Sequence, residues 1–160
     1  MSGGIKTQGT HLFLRDTAGI EPAVMKFACP TGISGLGGAK DQIDDTCLDQ
    51  TVDRTFVAGL GNPGQVSVPF VYLPQEASHQ DLFDLKEGGE TLDWLVGLSD
   101  GVAAPTLDVD DEFVNPTDRS GFTFRAYIAD INIDIATNEV VRGTLTLQRS
   151  GAVTPFFKAS

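Results

Sequence analysis

The sequence predicts a mainly β fold: an antiparallel β-sandwich or open barrel, flanked by one short α-helix and carrying long loops. Three observations point to it. Several apolar segments alternate with period two, the signature of strands with one buried face. Only one segment has helical spacing set between a start and a stop signal. Between these segments lie turn formers, among 18 Gly and 8 Pro, while 41% hydrophobic residues including ten Phe suffice for a packed core. With 160 residues, the expectation is one domain spanning 1–160.

Thr10 to Arg15 forms the first expected strand, with Leu12 and Leu14 on one face and His11 and Phe13 on the other. Val24 to Ala28 is the second. From Pro30 to Leu60 the pattern dissolves into Gly, Asp and Thr, so a long loop is expected there. Gln65 to Leu73 is a strand with Val66, Val68, Phe70 and Tyr72 on one face, and Pro69 in it indicates an edge or a bulge.

The helix follows. Ser78 and Asp81 resemble a capping pair, Leu82, Phe83 and Lys86 follow His79 at helical spacing, and Gly88-Gly89 stops it. Thr91 to Leu98 alternates again, placing Leu92, Trp94, Val96 and Leu98 together, and Ser99 to Asp118 is an acidic loop. Two strands then close the chain. In the first, Phe122, Phe124, Ala126 and Ile128 hold even positions while Ile131, Ile133 and Ile135 hold odd ones, so a β-bulge is expected near Ala129 and Asp130. After a turn at Ala136 to Glu139, Val141, Gly143, Leu145 and Leu147 complete a long hairpin.

Eleven Lys and Arg against 22 Asp and Glu give a net charge of −11, which excludes a phosphate-binding surface as the main function. Such acidity also suppresses casual association, so any self-assembly must use shape-matched surfaces. The segment Met1-Ser2-Gly3-Gly4-Ile5-Lys6 has no signal-peptide character and no apolar run reaches bilayer length, so synthesis in the cytosol without a membrane partner is expected. Cys29 and Cys47 are then expected as reduced, small apolar fillers. With His11 and His79 the only imidazoles, no tetrahedral metal set is expected.

The motifs that could carry chemistry are weak. Gly59-Leu60-Gly61-Asn62-Pro63-Gly64 has dinucleotide-fingerprint spacing and resembles the segment that opens peptidyl-tRNA hydrolases, but a strand follows it where a phosphate-binding helix is required. A loop is the expectation. Asp108, Asp110, Asp111 and Glu112 lack the glycine and distal Glu of an EF-hand and are expected as a solvated loop. Asp130, Asn132 and Asp134 alternate with isoleucines and form the polar face of a strand. Neither histidine has a nucleophile and orienting group to complete a triad, so no catalytic residue, cofactor or enzyme activity is expected.

The order of these features resembles the tail tube (major tail) proteins of long-tailed, non-contractile bacteriophages. The resemblance rests on Thr10-His11-Leu12-Phe13-Leu14, on Asp44-Asp45-Thr46-Cys47-Leu48-Asp49 leading to a Gly-rich loop, and on the strand Gln65 to Leu73. It continues through Ala77-Ser78-His79-Gln80-Asp81-Leu82-Phe83-Asp84-Leu85 and Arg142-Gly143-Thr144-Leu145-Thr146-Leu147-Gln148, and so covers most of the chain.

The resemblance implies a virion protein of the tail, assembled in the host cytoplasm into stacked hexameric rings around a tape measure protein. Terminator and baseplate or distal tail proteins would meet the tube's ends, and phage DNA would pass through unbound. For ring stacking, the loop from Cys47 to Pro63 is the candidate, with Cys47, Leu48, Asp49, Phe56, Val57, Leu60, Asn62 and Pro63. For an acidic lumen lining, the candidates are Asp130, Asn132, Asp134, Arg142, Thr144 and Gln148. Disorder of residues 41 to 64 before assembly is a further expectation. The runner-up classes are a carbohydrate- or protein-binding β-sandwich module, for which Trp94 would have to leave the core, and a tube protein of a contractile or secretion system.

Overall fold

The computed structural model describes residues 3–16, 22–49 and 51–159. Twelve elements follow in order: β1 (His11–Asp16), β2 (Ala23–Lys26), β3 (Gly38–Asp44), β4 (Phe56–Pro63), β5 (Gln65–Val71), α1 (Ala77–Gly88), β6 (Leu92–Gly97), β7 (Thr106–Leu107), β8 (Phe113–Val114), β9 (Gly121–Asp134), β10 (Arg142–Arg149) and β11 (Thr154–Phe156). Seven strands form one antiparallel sheet in the order β2-β1-β6-β9-β10-β5, with β11 continuing the β10 edge of β9. The sheet is an open barrel. Its end strands β2 and β5 do not ladder with each other, but the segment after β2 lies along β5, where Val71 donates to Cys29 O at 3.2 Å and Thr31 to Pro69 O at 2.8 Å. Pro69 therefore sits on an edge strand, as its missing N–H requires.

The alternation read from the sequence decides which face turns inward. Leu12 and Leu14, Val66, Val68 and Phe70, Leu92, Trp94 and Val96, Phe124, Ala126 and Ile128, and Leu145 and Leu147 meet in one core with Phe27, Leu82 and Leu85. Burying each such large side chain contributes about 1.5–3 kcal/mol. Trp94 is fully buried, and its indole N–H donates to Ala126 O at 3.1 Å. The expected bulge is present: Thr146 faces Asp130 while Leu147 faces Ile128, leaving Ala129 as the extra residue. That shift lets Ile128 and Ile131 both point inward.

Three local expectations need correction. Ser78 does not cap α1; Glu76 is the N-cap, without a side-chain bond, and Ser78 lies inside the first turn accepting the Ala28 N–H at 3.2 Å. Phe83 and Lys86 are exposed, and Leu85 takes the inward position with His79 and Leu82. Gly89 does end the helix, in the left-handed conformation, donating to Leu85 O at 3.2 Å. His79 is the satisfied core histidine that its setting predicts. Its Nδ1 accepts from Leu73 N–H at 2.9 Å, so Nε2 carries the proton and donates to Ala28 O at 2.7 Å. Cys29 and Cys47 are free but exposed, so neither fills a gap in the core.

On the sheet's other face Phe13 and Leu95 are also buried, and Arg119 organises this second layer. Its guanidinium, fully buried, donates to Gly9 O at 3.1 Å, Gly97 O at 2.8 Å, Leu98 O at 2.7 Å and Ala103 O at 3.0 Å, and lies 6.0 Å from the Phe13 ring centroid. It thereby ties the N-terminal segment and the acidic loop to β6. Space for it exists because Gly97 has no side chain; a Cβ there would stand 2.6 Å from Arg119 Cζ. Burial, then the Lys26 and Arg119 charges, lower the pKa of the neighbouring His11. Replacing Arg119 by Met strands four backbone carbonyls, so a loss of about 3 kcal/mol or more is expected in urea unfolding. Gly97→Ala should destabilise in the same direction, and wild-type stability in both variants would refute the account of this layer.

Candidate assembly interface

The segment expected as a long loop is a β-hairpin. β3 and β4 pair antiparallel from Gly38↔Pro63 to Asp44↔Phe56, with a register shift between Lys40 and Gln42, and ladder with no strand of the other sheets. Asp45 N–H and Thr46 Oγ1 extend the pairing to Thr55 O at 3.1 and 3.3 Å. Among the described residues the ribbon buries nothing, and at ~3.3 Å per residue its eight-residue strand reaches about 25 Å. Ile43, Leu48, Val52, Phe56, Val57 and Leu60 are all exposed on it, Leu48 fully and Leu60 at 84%. Such a ribbon is marginal in isolation, so a partner surface is the natural source of its stability.

The candidate stacking residues fall on this arm in two groups. Cys47, Leu48 and Asp49 lie at the tip, beside Gln50, which is outside the described residues; Phe56, Val57, Leu60, Asn62 and Pro63 lie along β4. The Gly59–Gly64 motif is thus mostly strand and not a loop, and β5 follows it without an intervening helix. Of residues 41–64, those at 41–44 and 56–63 belong to the paired strands. Ile43 and Val52 escaped the sequence reading because a ribbon solvated on both faces has no inward face to impose alternation.

The six candidate lining residues share one sheet face. Arg142 pairs with Asp134 and Thr144 with Asn132, Thr146 pairs with Asp130, and Gln148 pairs with Tyr127, so all lie opposite the core-facing row of Leu145 and Leu147. Asp130, Asn132, Asp134 and Arg142 are exposed, and Thr144 and Gln148 half-buried. Asn132 donates to Asp134 Oδ1 at 3.2 Å, and Lys86 from the helix approaches Asp130 at 3.7 Å. The acidic loop folds as the small β7–β8 hairpin, where Asp108 Oδ1 accepts from the Asp110 and Glu112 N–H groups at 2.8 and 3.1 Å. No group of metal-ligating side chains occurs among the described residues.

Residues 3–159 match the phage tail tube family of lambda-like type. The chain belongs to this family. "Structural protein 3" of Pseudomonas phage PAJU2 is 39% identical to it over 151 residues, 92% of this chain and 90% of that protein. Among solved structures, the SPP1 tail tube has a TM-score of 0.70 at 12% identity, covering 98% of this chain and 81% of that one. A gene transfer agent virion chain scores 0.67 at 13% identity (96% and 99% covered), and a chain of the anti-feeding prophage baseplate 0.67 at 13% (98% of each). At such identities these structures show a shared fold.

This tail tube protein is therefore a structural component of the virion tail. Its membership fits an arm of exposed apolar side chains and an unpaired β2 edge better than it fits a ligand-binding module, whose tryptophan platform would need Trp94 at the surface.

One electrostatic feature lies where β1 meets α1. Asp81 is pushed up to about 6, first by its hydrogen bond with the Asp16 carboxyl, then by burial and by the Asp16 and Asp84 charges. A carboxyl raised above its unfolded value near 3.9 binds more protons in the folded state, so its stabilisation is full below about pH 4 and lost as pH rises through about 6. Asp81→Asn should raise the thermal midpoint at pH 7.5, leave it nearly unchanged at pH 4, and flatten the pH profile between. A midpoint at pH 7.5 no higher than wild type would show that the two carboxyls do not share a proton.

Proposed function

We propose that the protein assembles into hexameric rings that stack into the tube of a non-contractile phage tail, a conduit for DNA. The observation that carries this reading is the β3–β4 arm on a tail tube fold: a stable isolated subunit has no use for a ribbon of exposed Ile43, Leu48, Phe56, Val57 and Leu60. A head-to-tail contact that closes gives a ring, and a second, non-closing contact along the axis stacks rings. The open edge of β2 suits the first contact, and the arm, reaching from Gly38 to Pro63, suits the second. Partners at the tube's ends are terminator and baseplate or distal tail proteins, with a tape measure protein inside before DNA enters. In support, related folds occur in the SPP1 tail tube and in the capped tube of the anti-feeding prophage.

The polar face of β9 and β10 is the proposed lumen lining. Its six candidate residues carry two carboxylates and one guanidinium, a net charge of −1 per subunit. Such a wall repels phosphate mildly and offers no cluster of cations to retain it, so DNA slides without releasing counterions to a binding site. A tube of a contractile system remains the second reading, favoured at the level of fold by the likeness to a chain of an extracellular contractile injection system's sheath-tube complex.

Negative-stain electron microscopy of the purified protein across concentration is expected to show rings or hollow tubes, and a monomer at every concentration would refute the reading. Leu60→Asp with Phe56→Asp should abolish tubes while shifting subunit stability by only about 0.5 kcal/mol, as exposed positions do. For the lining, Asn132→Cys in a background lacking Cys29 and Cys47 should react in intact tubes with a small maleimide and not with one carried on a bulky protein. Equal reaction with both would place the β9–β10 face outside.

A further inference from the structure

Arg149 is the inward-facing residue that breaks its strand's pattern. Gly143, Leu145 and Leu147 all point into the core, and Arg149 ends the same row at the mouth of the barrel, 4% exposed. Its Nη2 donates to Gly37 O, but its buried Nε has no partner, and no carboxylate pairs with it among the described residues. Leaving a buried guanidinium without a counter-charge costs several kcal/mol, so the arrangement is incomplete in the single subunit.

The guanidinium lines a cavity of about 500 Å³ between the root of the β3–β4 arm and the β10–β11 turn. Lys40 and Asn62 line it from the arm, Gly151 and Val153 from the turn, and no Asp or Glu contributes to its wall. In a chain of net charge −11, a cavity with two cations and no anion is an exception that composition does not explain. Lys40 likewise has no ion-pair partner among the described residues.

We propose that this cavity is a socket for an Asp or Glu side chain of a second copy of the chain, held between Arg149 and Lys40. The inference rests on the self-assembly proposed above. Charge complementarity selects the occupant: every copy carries 22 carboxylates, and copies meet each other at the highest local concentration in a tube. The carboxylate supplies, through charge-assisted bonds, the counter-charge that Arg149 and Lys40 lack within the single subunit. Because Lys40 belongs to the arm and Arg149 to the barrel, an occupied socket also fixes the angle at which the arm leaves its own subunit. Arm orientation and neighbour contact are thereby coupled.

Zero-length carbodiimide coupling tests this on tubes assembled from a mixture of ¹⁴N- and ¹⁵N-labelled full-length protein. Mass spectrometry should find mixed-isotope peptides joining Lys40 to an Asp or Glu of another copy, and Lys40→Arg should remove them. Lys40→Gln should raise the concentration needed for assembly about tenfold, with subunit melting unchanged; Arg149→Lys should assemble better than Arg149→Gln. Wild-type tubes without intercopy Lys40 links, or Lys40→Gln assembling at the wild-type concentration, would overturn the socket alone. Retention of a short DNA duplex that Lys40→Gln abolishes, with assembly unaffected, would overturn it in favour of a phosphate occupant. Wild-type protein that forms no higher-order species would instead refute the tube reading on which the socket rests.

Discussion

Much of the structure hangs on the extra residue in β9. A strand of fourteen residues must serve β6 and β11 with its first half and β10 with most of its length, while α1 packs against it. With strict alternation the second half would turn its isoleucines to solvent and Asp130 to the core. Ala129, inserted opposite the Thr146–Leu147 step, resets the parity and bends the strand. Ile128 and Ile131 then close the same core that Leu145 and Leu147 fill, and the sheet curls enough for Phe27 and Phe70, next to its two ends, to meet edge-to-face at 5.2 Å. Without the bulge neither the barrel nor a uniformly polar outer face on β9 and β10 would exist.

Curling without closing leaves edges, and each is treated differently. The outer edge of β5 is covered by residues 29–34, with Ser34 and Ser67 bonded in both directions at 3.0 and 2.9 Å. β2, four residues long and ending at Lys26, is short and charged, both of which discourage indiscriminate pairing. The β3–β4 ribbon is less protected: both its strands are edges, and beside Lys40, Asp41 and Asp44 it exposes Ile43, Phe56, Val57 and Leu60. Selection against aggregation tolerates such an element only where a specific surface receives it.

How far the sequence could be read follows from where burial imposes a period. β5, β6, β9 and β10 each have one face in the core, and their apolar residues alternate accordingly; the parity flip even located the bulge. The β3–β4 arm was invisible for the converse reason: solvated on both faces, it shows Gly, Asp and Thr without order and resembles a loop. β11 is three residues long and too short to carry a period. Ser78 mimics an N-cap by its spacing to Asp81, but tertiary structure claims its hydroxyl for the Ala28 N–H, and Asp81 turns to Asp16. The candidate lining residues share one face because β9 and β10 are neighbours in the chain as well as in the sheet. Arg149 is legible in the same way, as a charge that ends an apolar register.

These exceptions form a pattern when taken together. Where the subunit obeys the rules of a self-sufficient domain, as at His79 with both ring nitrogens satisfied or Arg119 with four carbonyl partners, the chain is finished within itself. Two departures from those rules meet at the arm: a ribbon of exposed apolar side chains with nothing to pack on, and at its root a buried guanidinium lacking a counter-ion. Their convergence at the base and along the length of one arm is what a part requires when its folding is completed by the next copy. The strong net negative charge fits the same logic, because it keeps free subunits apart until a matched contact offsets the repulsion.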